Sequence, residues 1–145
     1  MKISTKGRYA LRMLLDLAEH RDEGFISLKD IAERQNISKQ YLEQIVSLLH
    51  TSNILRTNRG KKGGYMLAVD PSDCTVGKVL RMTEGDLVPV DCLVDGINQC
   101  ERVEICKTLP MWIGLKKVID NYLDNITLQD MMDQYQNRGA NNYVI

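Results

Sequence analysis

The sequence predicts a mainly α-helical protein with a small β-hairpin wing: a winged helix-turn-helix domain followed by a long C-terminal helix. Three observations support this fold class. Apolar residues recur at helical spacing over most of the chain. A basic, glycine-rich segment lies between two short strand-like runs near the middle of the chain. A broad apolar stripe near the C-terminus follows a segment that contains three of the four cysteines.

The first half of the chain has the helix order of a helix-turn-helix. Residues 5–20 carry one apolar face at helical spacing and form the first predicted helix. Ser27 and Asp30 form a capping box that begins a short second helix. A tight turn follows, and Ser38 caps a third helix that extends to about Thr51. In a helix-turn-helix, the second helix of the pair presents a polar face to DNA.

The outward face of the third helix carries short or amide-bearing side chains, which suit contacts with base edges and phosphates. Any solvated surface helix has a polar face, so this helix alone does not distinguish DNA contact from solvent exposure. Glu43 is acidic, and we expect it to act through base choice, by accepting from a cytosine amine or by disfavouring wrong sites. The outward residues are Ser38, Lys39, Gln40, Glu43, Gln44 and Ser47.

The segment that follows favours the DNA interpretation. Residues 54–57 and 65–68 are strand-like, and residues 58–64 between them contain three glycines that permit positive φ and a tight hairpin. The cations of this segment are predicted to contact a phosphate backbone or minor groove beside the third helix. A nucleotide-phosphate loop is the alternative, but the G-x-x-x-x-G-K-[ST] pattern is absent. The three cations are Arg59, Lys61 and Lys62.

The distribution of charge agrees with a polyanion-binding first half. Residues 1–67 carry 12 Lys and Arg against 7 Asp and Glu, and residues 68–145 carry 7 against 12. Chance segregation of solvated charges would give the same numbers. The sequence contains no apolar run long enough for a membrane span and no signal-peptide pattern, which predicts a cytoplasmic protein.

Enzymatic activity is not predicted. The sequence offers no nucleophile–base pair, no paired carboxylates in a pocket-like context and no nucleotide loop. A Cys-x-x-Cys motif is absent as well, which argues against thioredoxin-like chemistry. A protein-interaction module would not need the basic hairpin. The expected partner is therefore double-stranded DNA.

The second half predicts three further helices. Residues 75–84 form the first, and Pro110 lies in the first turn of a long helix with a broad apolar stripe. Residues 127–130 form a second capping box and begin a terminal helix. The stripe could pack on its own core or against a second copy. Because winged-helix proteins usually bind two half-sites, we expect a homodimer.

We therefore expect three segments. Residues 1–85 form the winged helix-turn-helix DNA-binding domain, residues 86–109 form a cysteine-containing sensor loop, and residues 110–145 form the dimerisation helix and C-terminal helix. The middle segment lacks periodicity, which is typical of a loop.

The cysteines of this loop are candidate ligands. Cys92, Cys100 and Cys106 are close in sequence, and soft thiolates suit iron–sulfur clusters. A thiol redox role, zinc binding, or no cofactor at all are the alternatives. Cys74 lies outside the loop and is expected to be structural. The acids of the loop would disfavour thiolate formation; they are Asp91, Asp95, Glu101 and Glu104.

A resemblance to a known family rests on six segments of the chain: residues 1–10, 41–44, 59–60, 63–65, 84–85 and 125–128. Through these segments the sequence resembles the IscR, NsrR and CymR group of winged-helix transcriptional regulators. The resemblance implies a homodimeric, DNA-binding regulator, acting as a repressor, that dimerises through the long C-terminal helix. It implies recognition through residues 38–44, which adds Tyr41 to the candidates, and wing contacts from Arg59. In cluster-dependent members, three loop cysteines hold an iron–sulfur cluster, which implies Cys92, Cys100 and Cys106 here.

The chain departs from the cluster-dependent pattern in three ways. The first two cysteines are two residues farther apart, Leu109 replaces a histidine, and Arg8 lies where other members have an acidic ligand. The fourth ligand and the cluster type are therefore unidentified. His20 and His50 are expected to be ordinary surface residues. CymR-like members lack these cysteines and respond to a metabolic enzyme partner, and the first ten residues here resemble that branch.

Overall fold

The computed structural model describes residues 1–141, with side chains as far as residue 138. It confirms the predicted fold class, because the described residues form six α-helices and one antiparallel two-stranded hairpin. Residues 142–145, the end of the predicted C-terminal segment, lie outside the described residues. In order, the elements are α1 (Thr5–Glu19), α2 (Leu28–Gln35), α3 (Lys39–Leu49), β1 (Leu55–Asn58), β2 (Gly64–Leu67), α4 (Val76–Glu84), α5 (Leu109–Asp124) and α6 (Leu128–Asn141).

Three of the helices begin at the hydroxyl caps that the sequence predicts. The Ser27 hydroxyl accepts from the Asp30 amide at 3.1 Å, and the Ser38 hydroxyl accepts from the Tyr41 amide at 3.1 Å. The capping box of α6 is reciprocal, because Thr127 and Asp130 each accept from the other's backbone amide. Each cap satisfies an amide that has no partner inside its helix.

The helix α1 lies at the centre of the main core. Its buried residues pack with those of α2, α3 and the hairpin, and Leu128 of α6 is fully buried in the same core. A second, smaller core joins α4 to the end of α5 through Leu80 and the half-buried Leu123. Among the described residues, no helix combines the length and the apolar character that crossing a membrane would need. The buried residues of α1 are Gly7, Ala10, Met13, Leu14, Asp16, Leu17 and Ala18.

The hairpin pairs Leu55 with Leu67 and Asn58 with Gly64. The three glycines of the hairpin permit a positive φ, but none of them adopts one. Close backbone approach requires Gly64 instead: a Cβ there would collide with the carbonyl of Ile26, which pairs with Tyr65. The hairpin thus lies directly against the start of α2, and this contact fixes its position beside the helix-turn-helix.

Candidate nucleic-acid interface and cysteine loop

The helix α3 exposes the face that the sequence predicts. Its inner side is buried in the main core through four apolar residues. Ser38 is exposed and uses its hydroxyl as the N-cap of the helix. The other exposed polar residues of this face are Lys39, Gln40, Glu43, Gln44 and Ser47.

Tyr41 differs from the other candidates on this helix. It is half-buried, and its ring packs edge-to-face against Tyr9 of α1, with ring centroids 5.4 Å apart. Its ring therefore serves packing between α1 and α3.

The wing presents its cations to solvent. Arg59, Lys61 and Lys62 are all exposed, and none of them forms an ion pair with another described residue. The turn is ordered by Asn58, whose side-chain oxygen accepts from the Gly60 amide at 3.1 Å. These positive charges remain available to a polyanion.

A groove brings candidates from two elements together. Lys39 and Glu43 of α3 and Arg59 of the wing line one open cavity of about 480 Å³. Lys29 and His50, which the sequence did not single out, line the same cavity. The sequence could have indicated His50, because residues 39, 43 and 50 fall on one face when the helical period is continued. The start of α2 reaches this groove because the hairpin packs against Ile26, a long-range contact that the sequence does not encode locally.

The segment between α4 and α5 contains short 3₁₀ turns at residues 91–96 and no other regular element. Leu93 anchors it, being 9% exposed, and the Asp86 carboxylate accepts from the Asp95 amide at 2.8 Å. The Cys100 amide donates to the Asn98 side-chain oxygen at 2.9 Å. The loop prediction is thus correct, with local turns that hold its backbone.

The three loop thiols are free and accessible to different degrees. Cys92 and Cys106 are half-buried, and Cys100 is exposed. Cys92 and Cys100 line one open cavity of about 380 Å³, and Cys106 is not part of that lining. Within the described part of the chain, no three Cys, His, Asp or Glu side chains converge on a metal position. Three thiols are a ligand set of the type that a thiophilic metal group prefers. In this structure the three thiols do not converge on one position.

Local hydrogen bonds distinguish the Cys106 thiol. Bonds from the Thr108 hydroxyl and the Thr108 amide, with a further contribution from Leu109 and Arg102, hold the pKa of Cys106 below its ordinary value. These hydrogen bonds favour the thiolate of Cys106, in the opposite direction to the effect expected from the loop acids. Burial raises the pKa of the Cys74 thiol, which is 1% exposed, in agreement with a structural role.

The residues considered for a fourth ligand position have different surroundings. Leu109 is the first residue of α5, and Arg8 is exposed and donates to the Thr5 hydroxyl at 3.0 Å. His50 is exposed as expected. His20 is half-buried instead, with its Nδ1 2.8 Å from the Asp16 carbonyl oxygen, because α1 ends against it.

The helix α5 has no buried residue, although it is the most apolar long helix of the described chain. Four apolar side chains at a four-three-four spacing form one exposed stripe, which we call the α5 stripe. Its members are Met111 (53% exposed), Leu115 (38%), Val118 (64%) and Tyr122 (66%). Such a contiguous apolar surface marks an interaction site.

Comparison with known proteins agrees with this geometry. A family model described as "Rrf2: Iron-dependent Transcriptional regulator" matches residues 3–134. The chain is 40% identical to the HTH-type transcriptional regulator CymR of Bacillus subtilis (strain 168), over 90% of this chain and 89% of the relative. It is 38% identical to the HTH-type transcriptional regulator IscR of Serratia proteamaculans (strain 568), over 92% of this chain and 80% of the relative.

Solved structures give the same result. The structure of CymR, described as the global cysteine regulator of B. subtilis, has a TM-score of 0.77 at 37% identity and covers 92% of this chain and 98% of its own. The T. potens IscR structure has a TM-score of 0.74 at 40% identity, over 93% and 88%. The match extends through the helix-turn-helix, the wing and the C-terminal helices. The chain therefore belongs to the Rrf2 family of DNA-binding transcriptional regulators, which are not enzymes.

Proposed function

We propose that this chain is a homodimeric repressor of a two-fold-symmetric DNA operator, and that an iron–sulfur cluster on the cysteine loop modulates its binding. The observation that carries the DNA-binding part is the groove, which gathers Lys39, Glu43 and Arg59 beside the exposed wing. Lys29 and His50 extend the set of possible phosphate contacts.

The individual DNA contacts follow from residue chemistry. Side chains of α3 are the candidates for the major groove, and Glu43 would accept from a cytosine amine. The wing cations would contact phosphates or the minor groove. The candidates are Ser38, Lys39, Gln40, Tyr41, Glu43 and Gln44 on α3, and Arg59, Lys61 and Lys62 on the wing. Among them, Tyr41 is the one that already packs on α1.

The homodimer is supported by the α5 stripe. A four-three-four spacing of apolar residues is the pattern that pairs two helices along a common seam. Two copies joined through this stripe would present two DNA-binding faces, as an operator with two half-sites requires.

The cluster proposal is supported by donor chemistry. Cys92, Cys100 and Cys106 would hold the cluster, and when bound it would supply a centre that responds to iron supply or oxidation. Cys106 is suited to ligation because its lowered pKa favours the thiolate. The loop connects α4 of the DNA-binding domain to α5, so a change in its backbone would reach both the DNA-binding elements and the α5 stripe.

Spectroscopy tests the cluster proposal. Protein purified without oxygen should show charge-transfer absorption and contain iron and sulfide. Cys92→Ser, Cys100→Ser and Cys106→Ser should each lower both contents, and Cys74→Ser should leave them unchanged because Cys74 is in the core. A colourless, iron-free protein that cannot be reconstituted would remove the cluster from the proposal.

A second candidate is a cofactor-free regulator of cysteine or sulfur metabolism, controlled by a metabolic enzyme partner or by thiol oxidation. Two observations favour it: the loop thiols do not converge, and the relative from B. subtilis is a global cysteine regulator. Operator binding by the iron-free protein decides between the two candidates. If it equals that of the reconstituted protein and changes on thiol oxidation or on adding the enzyme partner, the second candidate stands.

A further inference from the structure

Three residues on one face of α1 connect the two helices of the helix-turn-helix. Tyr9, Arg12 and Asp16 are spaced three and four apart, so they lie on one side of α1. Tyr9 contacts the start of α3, and Arg12 and Asp16 contact the last two residues of α2. We call these three residues the α1 clamp.

The contacts of the clamp are specific in geometry. Asp16 accepts from Arg34 at 2.6 and 3.0 Å and from the Gln35 side-chain amide at 3.0 Å. Arg12 donates to the side-chain oxygen of Gln35 at 3.3 Å and also to its carbonyl oxygen. The Arg12 guanidinium lies 5.0 Å from the centroid of the Tyr9 ring, which packs on Tyr41.

The burial of Asp16 requires the hydrogen-bond partners of its carboxylate to stay in place. Asp16 is 1% exposed, and it is the only charged residue buried among those the structure describes. A buried carboxylate is tolerated only when its hydrogen bonds are complete, and here every buried polar side-chain atom of the described residues has a partner. An apolar residue at this position would often stabilise the fold equally well. The pair between the buried Asp16 carboxylate and the partly exposed Arg34 is therefore better suited to fixing one arrangement of the helices than to adding stability.

The network acts where the turn begins. Gln35 ends α2, and Asn36 then adopts a left-handed conformation with φ of 53°. Ile37 is buried, and Ser38 already caps α3. Because only three residues separate Gln35 from Lys39, the orientation of the last turn of α2 determines how α3 is presented.

We propose that the α1 clamp positions α3 for discrimination between operator and non-operator DNA. This inference rests on α3 being the DNA-contacting helix. Asp16 is buried and anionic, so it does not itself bind phosphates; it acts through Arg34 and Gln35 as a positioning residue. Arg12 and Tyr9 perform the same function on Gln35 and Tyr41. Sequence-independent attraction to DNA depends on the exposed cations and does not need this alignment.

Asp16→Asn tests the role of the clamp. Dissociation constants are measured for the operator duplex and for a scrambled duplex of equal length, each corrected for the active fraction by stoichiometric titration. We expect operator affinity to fall about tenfold and scrambled-duplex affinity to change less than about twofold. If the two affinities are unchanged, or fall by the same factor, the clamp is structural only and the proposal is wrong.

A second variant covers the case in which Asp16→Asn does not fold. Arg12→Met removes the Gln35 and Tyr9 contacts at a half-buried position and keeps the aliphatic stem. Its matched control is Arg8→Met, on the same helix, where the arginine bonds only Thr5. The ratio of operator to scrambled affinity should fall for Arg12→Met and not for Arg8→Met. Equal ratios would overturn the proposal. Wild-type protein without any operator preference would instead contradict the proposed function itself.

Discussion

Arg81 of α4 donates to the carboxylate of Asp120 on α5 at 2.8 Å. Its second nitrogen lies 2.5 Å from Asp124, and Lys116 pairs with Asp120 at 2.6 Å. These side chains are between 25% and 46% exposed, so the group is a partly screened network rather than a buried one. It joins the two helices that the cysteine loop connects. Relative motion of these helices therefore has to break or stretch these ion pairs.

Arg81→Met should weaken the contact between α4 and α5 without creating a cavity in the core. Exposed pairs are each worth little, and for the two partly screened pairs of Arg81 we expect the free energy of unfolding to fall by about 1 kcal/mol. Urea denaturation monitored by circular dichroism measures this change. Lys78→Met on the same helix is the control, because Lys78 is exposed and forms no ion pair within the described residues. Equal losses in both variants would contradict the predicted role of the network.

Arg59→Ala should weaken operator binding and flatten its salt dependence. Removing one phosphate contact lowers the slope of log affinity against log salt by about 1. A gel-shift titration over a series of salt concentrations measures the slope. Lys117→Ala removes one exposed positive charge from α5 and should leave the slope unchanged. An unchanged operator affinity for Arg59→Ala would refute the role of the wing.

Glu43→Ala should change the sequence preference of the protein more than its overall affinity for DNA. Loss of an acceptor for a cytosine amine should reduce discrimination at one base pair by about tenfold, and loss of an anion in the groove should raise affinity for unrelated DNA. Competition between duplexes that differ at single positions measures both effects. The same preference at every position in the variant and the wild type would exclude Glu43 from base choice.

Local rules account for most of the fold. The caps at Ser27 and Thr127 are each encoded together with an acid three residues later, and Ser38 caps α3 by its own hydroxyl, so these helix starts are predicted within one residue. The hairpin is predicted too, yet the reason for its glycines is not. The requirement at Gly64 comes from Ile26, a residue far away in the sequence, and periodicity contains no information on such contacts.

The candidate site also follows partly from local sequence signals and partly from long-range packing. Exposure of Glu43 and Arg59 follows from helix period and hairpin position, but the contribution of Lys29 to their groove depends on packing of the hairpin on α2. Likewise, sequence spacing places three cysteines in one loop and cannot state whether their thiols converge. The pKa of Cys106 is lowered by hydrogen bonds from Thr108 at the start of α5, and these bonds depend on how the loop backbone folds.

Val118→Glu should disrupt the proposed dimer. Val118 is 64% exposed in the middle of the α5 stripe, so the substitution leaves the chain's own core intact and puts a charge into the seam between copies. We expect monomers in sedimentation equilibrium and weakened binding to an operator with two half-sites. Val118→Leu keeps the stripe apolar and should remain dimeric. A dimeric Val118→Glu protein would show that the α5 stripe is not the interface.

Acid should remove the stabilising contribution of Asp16. Burial opposes ionisation of this carboxyl, but hydrogen bonds from Arg34 and Gln35 and the charges of Arg34 and His20 outweigh it and hold the pKa of Asp16 below its ordinary value of 3.8. A lowered pKa in the folded state stabilises the protein above that ordinary value, and the contribution disappears as pH falls through the folded pKa. At about pH 7 we expect Asp16→Asn to lower the free energy of unfolding by about 2 kcal/mol.

The difference between wild type and Asp16→Asn should therefore shrink as the pH is lowered below about 4. Urea denaturation of both proteins over a pH series measures it. Taking the difference removes the contributions of Asp70 and Asp120, whose pKa values are also lowered and which both proteins share. A difference that stays constant down to the acid limit of folding would mean that the charge of Asp16 does not stabilise the clamp, because only a charge-dependent contribution is lost on protonation.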